Sequence, residues 1–192
     1  MIIGLDVGGT HTDVVLLGQE GLLRQVKVPT DPSDLFATVL AGLEKITEGV
    51  DLAGISRAVL STTLATNRIV QHQIPAVGMI VSAGPGMDPA LFSTGPHYHT
   101  VDGGIDHRGR EIAAVDPEQV NAAADALEKA GLRYVGVVSK FSTRNAAHEL
   151  AIAELIGDRF EKVFMGHKIS GNLNFPRRIA TTYLNAAIYP IH

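Results

Sequence analysis

The stretch Asp6-Val7-Gly8-Gly9-Thr10-His11-Thr12-Asp13 decides how the rest of the chain reads. Before it, Met1-Ile2-Ile3-Gly4-Leu5 is a short apolar run the size of a buried strand. After it, Val14-Val15-Leu16-Leu17 resumes as a second. Two apolar runs joined through Gly8-Gly9 predict a β-hairpin. Glycine suits that turn because it accepts positive φ without a Cβ clash. It also lets a phosphate come close to backbone N–H groups. Thr10 and Thr12 offer hydroxyl donors. Asp6 and Asp13 offer carboxylates for Mg²⁺, which takes carboxylate, phosphate and water oxygens. The turn therefore reads either as a cradle for a Mg-nucleotide or as turn chemistry alone, since Gly, Asp and Thr are also ordinary turn formers.

Composition narrows the setting. The chain has 192 residues, 45% hydrophobic and 19% charged, enough to bury a core. A net charge of −4 gives no electrostatic pull toward nucleic acid or an anionic membrane. There is no cysteine, so disulfides and thiolate metal sites are excluded. No secretory leader opens the sequence and no apolar run approaches ~20 residues. The expectation is a soluble, cytoplasmic protein without nucleic-acid or membrane partners.

The string Asp6-x-Gly-Gly-Thr10-x-Thr-Asp13 resembles the first phosphate motif of the actin-like ATPase and sugar-kinase superfamily. The longer string Gly4 to Leu17 is similar to the opening of the hydantoinase/oxoprolinase family. It is not a Walker loop, since no Gly-Lys-Ser/Thr is present. Nor is it a dinucleotide turn, because the glycines lead into a strand and not a helix.

Outward from the hairpin, Leu22–Val28 suggests a third strand, and Leu35 to Glu48 an amphipathic helix with Leu35, Phe36, Val39, Leu40, Leu43 and Ile46 at helical spacing. A short strand at Arg57–Leu60 leads into Ser61-Thr62-Thr63-Leu64-Ala65-Thr66-Asn67. By itself this string predicts a helix start capped by Ser61 or Thr62. It also resembles the family's His-Gly-Thr-Thr-x-Ala-Thr-Asn, with Leu60 and Ser61 standing where the family has His and Gly. Pro75–Ser82 reads as a buried strand and Ala83–His99 as mostly loop, with Ser82-Ala83-Gly84-Pro85-Gly86-Met87 where relatives run Thr-Thr-x-Gly-Phe. His97, His99 and His107 could be metal ligands, but loop histidines are the better reading because no carboxylate stands at tight spacing.

A hairpin signal falls at His107-Arg108-Gly109. A well-capped helix opens at Asp116-Pro117, with Val120, Ala123, Ala124, Leu127 and Ala130 on one face and Gly131 at its end. Tyr134–Val138 is the next strand, and Ala146–Ile156 the next helix. Ser142-x-x-Asn145-x-x-His148-Glu149 resembles the family's Ser-x-x-Asn-Pro-x-His-Glu, with Ala146 replacing Pro. His148 and Glu149 are secondary candidates, read otherwise as packing and dipole complementation at a helix start. Lys162–Met165 is a last strand, residues 166–176 loop, and Arg177–Ala187 a helix whose Arg178, Thr181 or Thr182, Asn185 and Ala186 match the family pattern.

The expected fold is α/β: a ribonuclease-H-like mixed sheet opened by a β-hairpin and flanked by helices, one lobe of an actin-like ATPase. Residues 1–192 are expected to be a single N-terminal lobe of a longer protein, since no second phosphate loop is evident. The resemblance implies ATP and Mg²⁺ as cofactors. It implies Asp6 and Asp13 as catalytic carboxylates, Asp6 as the metal ligand, Gly8, Gly9, Thr10 and Thr12 on phosphate, and Thr62, Thr63 and Asn67 on the substrate side. The implied activity is ATP-dependent opening of a cyclic amide of the hydantoin, N-methylhydantoin or 5-oxoproline type, with the second lobe in the same chain or on a partner subunit. Two alternatives stand beside it. One is a sugar-kinase-like phosphotransferase, against which speaks the lack of an Asp base after the 135–138 strand. The other is a non-catalytic regulatory or assembly lobe, whose exposed apolar face favours a homodimer or partner contact.

Overall fold

A computed structural model describes residues 1–191. They form two compact units, Met1–Gln73 and Ile74–Pro190.

In the first unit the expected hairpin is present: β1 (Ile2–Val7) pairs antiparallel with β2 (His11–Gly18). Then β3 (Gly21–Pro29) and α1 (Leu35–Thr47) follow, with β4 (Arg57–Thr62) and α2 (Leu64–Val70) after them. The sheet order is β3-β2-β1-β4, with β4 parallel to β1. Strict alternation along the hairpin sends Ile3, Leu5, Val7, Val14 and Leu16 to one face, where they pack with Ile46 of α1. Each such side chain contributes roughly 1.5–3 kcal/mol on burial. α1 is capped by Asp34, whose carboxylate accepts from the Ala37 amide at 2.9 Å.

The seam of α1 is narrower than its apolar pattern predicted. Thr38, Gly42 and Ile46 are its buried residues, while Phe36 and Leu40 are exposed. Gly42 sets this geometry, because a Cβ there would lie 2.9 Å from Val14 Cγ2. The start of α2 also departs from expectation. Ser61 and Thr62 continue β4 to its end, and the cap position falls on Thr63, which makes no side-chain cap bond.

In the second unit, β5 (Gly78–Ser82), β6 (Tyr98–Val101), the short hairpin β7 (Gly104–Ile105) and β8 (Glu111–Ala113), α3 (Pro117–Lys129), β9 (Tyr134–Ser139), α4 (Ala147–Ile156), β10 (Lys162–Met165), α5 (Gly166–Ile169) and α6 (Phe175–Ile188) follow in order. Four of these strands form a parallel sheet, order β10-β9-β5-β6. It is distinct from the hairpin-led sheet for a readable reason. Every residue of β5 and β9 is buried, so both faces of these strands need cover, as is usual for parallel sheets. One face packs Met79, Val81 and Val138 with Ile179 and Ala186 of α6. The other packs Ile80, Val135 and Val137 with Val120 and Leu127 of α3 and Ile152 of α4. The Asp116 cap accepts from the Glu118 and Gln119 amides. Ala130, expected on the buried face of α3, is exposed as its C-cap. Within the 166–176 stretch, Gly166–Ile169 is a short helix and not loop.

The β7–β8 turn is built on one carboxylate. Asp106 accepts from the Arg108 and Arg110 amides and from the Arg110 side chain, and Gly109 takes a φ of +84°. The Arg110 backbone bond leads in holding the Asp106 pKa down at about 2. A lowered folded-state pKa stabilises the turn above the ordinary carboxylate range, and the gain is lost as pH falls toward 2. A carboxyl-detected NMR titration should place the Asp106 midpoint near 2; a midpoint near 4 would show that these bonds do not persist in solution.

Candidate functional site

Pairing register puts the two carboxylates of the opening motif side by side. Asp6 lies opposite Asp13 across the hairpin and opposite Ser61 of β4, and Asp13 lies opposite Lys27 of β3. Ser61, Asp6, Asp13 and Lys27 thus form one row across the sheet face opposite the core. The Lys27 ammonium is 3.2 Å from Asp13 Oδ1. Like charges directly opposite in a sheet destabilise it by up to about 1 kcal/mol. An exposed Lys–Asp pair offsets little of this. Gly4, Asp6, Asp13, Val15, Val59 and Ser61 border a shallow cavity of about 280 Å³ on this face.

Gly8 and Gly9 join the strands, with the Gly8 amide donating to the His11 carbonyl at 3.0 Å. Neither takes positive φ, contrary to the reason first given for them. Gly8 is required by close approach instead, because a Cβ there would lie 2.7 Å from the His11 carbonyl oxygen. Gly9 and Thr10 face a separate cavity of about 250 Å³, also lined by Asn67, Arg68 and Gln71. Two groups of residues distant in sequence therefore meet there, the turn and the middle and C-terminal end of α2. Asn67 Nδ2 lies 3.5 Å from Thr63 Oγ1, and Thr62 Oγ1 donates to the Val7 carbonyl at 3.2 Å. Thr12 goes elsewhere. It alternates to the core face, is fully buried, and its hydroxyl pairs with Thr30 at 3.0 Å. Arg68 was missed by sequence reading; it follows Asn67 directly and is the cation of this cavity.

The second unit holds a buried polar network at the end of β9. Glu149 is fully buried and accepts from the Ser139 amide (2.9 Å), the His167 amide (2.8 Å) and His167 Nδ1 (2.6 Å). Arg178 is equally buried and donates to the Ser139 carbonyl (2.6 Å) and the Asn172 carbonyl (2.8 Å). The two side chains therefore grip the same residue, one by its N–H and one by its C=O. Burial lowers the Arg178 pKa, opposed by the nearby Glu149 charge. Ser139 Oγ bonds Ser82 Oγ at 2.7 Å, tying the ends of β9 and β5 together. The signal for this network was periodic. Glu149 shares a helical face with Ile152 and Ile156, and Arg178 with Phe175, Ile179 and Thr182, so each charge sits on an apolar seam.

The remaining motif residues join this frame. Asn145 donates to the Gly109 carbonyl and accepts from the Ala147 amide. His148 Nε2 is 2.9 Å from Glu111 Oε1. Gly103, at φ +139°, leaves the room the imidazole needs, since a Cβ there would lie 3.2 Å from Nδ1. His99 lies in β6, with its pKa lowered by burial and then by His97. Among the described residues no group of three His, Asp or Glu side chains is placed to hold a metal ion, so Asp6 and Asp13 could hold one only with further ligands from water or phosphate.

The chain is 24% identical to the caprolactamase subunit alpha of Pseudomonas jessenii over 98% of its own length and 31% of that protein. It is 28% identical to the acetophenone carboxylase gamma subunit of Aromatoleum aromaticum over 96% of its length and 30% of that subunit. It thus spans about a third of the curated relatives it matches. Among solved structures, nucleotide-free acetone carboxylase superposes with a TM-score of 0.82 at 22% identity, covering 99% of this chain and 32% of that one. The ATP-dependent caprolactamase of Pseudomonas jessenii gives 0.75 at 23%, covering 100% and 32%. These likenesses support the hairpin-led α/β fold. Residues 2–160 match the family described as the hydantoinase/oxoprolinase N-terminal region, and the chain belongs to that family.

Proposed function

We propose that this chain is the N-terminal lobe of an ATP-dependent enzyme acting on a small cyclic amide. The row formed by Ser61, Asp6, Asp13 and Lys27 carries this reading. Two adjacent carboxylates on an open face, beside a glycine turn, are what an Mg-nucleotide needs from its first lobe. The donor set suits Mg²⁺, which binds through one or two carboxylates and keeps water and phosphate for the rest. When bound, Mg²⁺ would neutralise charge on the transferring phosphoryl group. Gly9 and Thr10 would present backbone and hydroxyl donors to phosphate, with Arg68 adding charge. Thr12 has a structural part, since its hydroxyl is committed to Thr30.

The chemistry follows from the substrate. An amide carbon is a poor electrophile. Transfer of the γ-phosphoryl group to the amide oxygen, releasing ADP, would make that carbon attackable by water. The C–N bond would then break with the ring nitrogen leaving, protonated, as the amine, and a second water would hydrolyse the resulting acyl phosphate to carboxylate and phosphate. Asn67 and Thr63 would orient the acceptor. The second lobe, in the same chain or on a partner subunit, would complete the nucleotide pocket. The related carboxylases favour a second reading, in which the activated oxygen belongs to a ketone and the partner is bicarbonate.

The test is nucleotide turnover by the whole protein with Mg²⁺, against a panel of hydantoins, lactams and 5-oxoproline, and separately ketones with bicarbonate. Turnover stimulated by a ring amide and abolished by chelation supports the first reading. Stimulation by ketone and bicarbonate alone supports the second. Silence across both panels removes the enzyme reading.

A further inference from the structure

The second unit carries a feature that the nucleotide reading leaves unused. In its parallel sheet the chain passes from β5 to β6 on one side, and then to β9 and β10 on the other. The strand order reverses between β5 and β9. In open α/β sheets ligands bind in the crevice outside the carboxyl ends of the strands at such a reversal. Here those ends are Ser82 and Ser139, tied by their hydroxyls. Lys140 and Phe141 follow directly. Phe141 has a φ of +61°, a conformation that a bulky residue holds only when its surroundings enforce it. The chain is held on both sides of it: the Lys140 amide donates to the Ser82 carbonyl at 3.0 Å, and the Phe141 carbonyl accepts from the Arg144 and Asn145 amides at 2.8 and 3.1 Å.

Above these strand ends lies a cavity of about 360 Å³ lined by Met87, Lys140, Phe141, Leu173, Phe175 and Pro176, among others. Its walls are mostly apolar, and Lys140 is their one cation. The Lys140 ammonium donates to the Pro85 carbonyl at 2.7 Å and lies 5.3 Å from the centre of the Phe141 ring. Among the described residues no carboxylate pairs with it, so it retains donors for a ligand.

We propose that this cavity is a small-molecule site, independent of the nucleotide reading. It takes a small apolar ring or chain that presents one carbonyl or carboxylate oxygen to Lys140. The size matches a ligand of six to ten heavy atoms, near the lower limit of ordinary ligand pockets. An ammonium at the edge of an apolar wall selects an oxygen acceptor, because a charge-assisted bond is worth most where water is thinned.

The test uses the full chain with ¹³C-labelled methionine and leucine methyls, titrated with cyclohexanone and with cyclohexanecarboxylate. Saturable shifts of the Met87 and Leu173 methyls are expected with at least one probe. Response to the ketone assigns a neutral carbonyl ligand, and response to the carboxylate an anionic one. Lys140→Ala should weaken binding about ten-fold or more. Leu173→Trp should abolish it by filling the cavity. Leu173 is half exposed, so both variants should keep the circular dichroism of the parent. Two results overturn the proposal: no saturable shift with either probe, or binding that survives Lys140→Ala unchanged.

Discussion

Glu149→Ala is expected to lower the stability of the second unit by roughly 3–5 kcal/mol, the range found when one partner of a buried charged pair is removed. Its carboxylate accepts three hydrogen bonds, from the Ser139 amide and from the amide and Nδ1 of His167. Alanine would leave the buried Ser139 amide without an acceptor and take the carboxylate partner from the partly buried His167. It would also leave the Arg178 guanidinium, fully buried, without the Glu149 charge that opposes its desolvation. The consequence reaches the sheet directly, because Ser139 is the last residue of β9. Glu149→Gln keeps one carbonyl acceptor and should lose about half as much. Urea unfolding followed on the amide signals of β9 reads both. With a slope of about 2 kcal/mol/M, the alanine variant should unfold about 2 M earlier. A loss below about 1 kcal/mol would mean that the network carries no net stability.

Asp6→Asn should separate activity from stability in the opposite sense. Asp6 is exposed and faces Asp13, so removing its charge relieves a like-charge contact. The melting temperature should hold or rise slightly, corresponding to a change within about 0.5 kcal/mol. On the proposed reading, ATP turnover by the whole protein should fall about a thousand-fold or more, because the carboxylate that would hold Mg²⁺ at the transferring phosphate is lost. Full turnover in a stable Asp6→Asn protein would remove Asp6 from the mechanism. A collapse of both together would mean that Asp6 is structural.

Much of the fold was legible because local patterns and tertiary packing agree. The apolar runs at residues 1–5 and 14–17, joined through Gly8-Gly9, announced the hairpin, and the turn fixes their register. Asp34 and Asp116 announced the starts of α1 and α3 by ordinary capping chemistry. Misreadings came where another interaction outweighed the local signal. Phe36 carries the helical period of α1, yet the closest approach to the sheet is made at Gly42, which rotates Phe36 outward. Ser61 and Thr62 are good caps, but pairing of β4 with β1 runs through Thr62 and moves the helix start one residue on.

The sequence by itself determined the hairpin, the carboxylates at its end and the family, because these depend on neighbours in the chain and on a contiguous motif. The tertiary structure alone decided which groups meet. It set Asp6 beside Ser61, Asp13 beside Lys27, and Asn67 and Arg68 beside Gly9 and Thr10. It also turned Thr12 inward and closed Glu149 and Arg178 on one residue, Ser139. The physical reason is register. Strand pairing and helix seating bring together residues about 10 to 60 positions apart, and which partners meet depends on how whole faces pack, a quantity no local window contains.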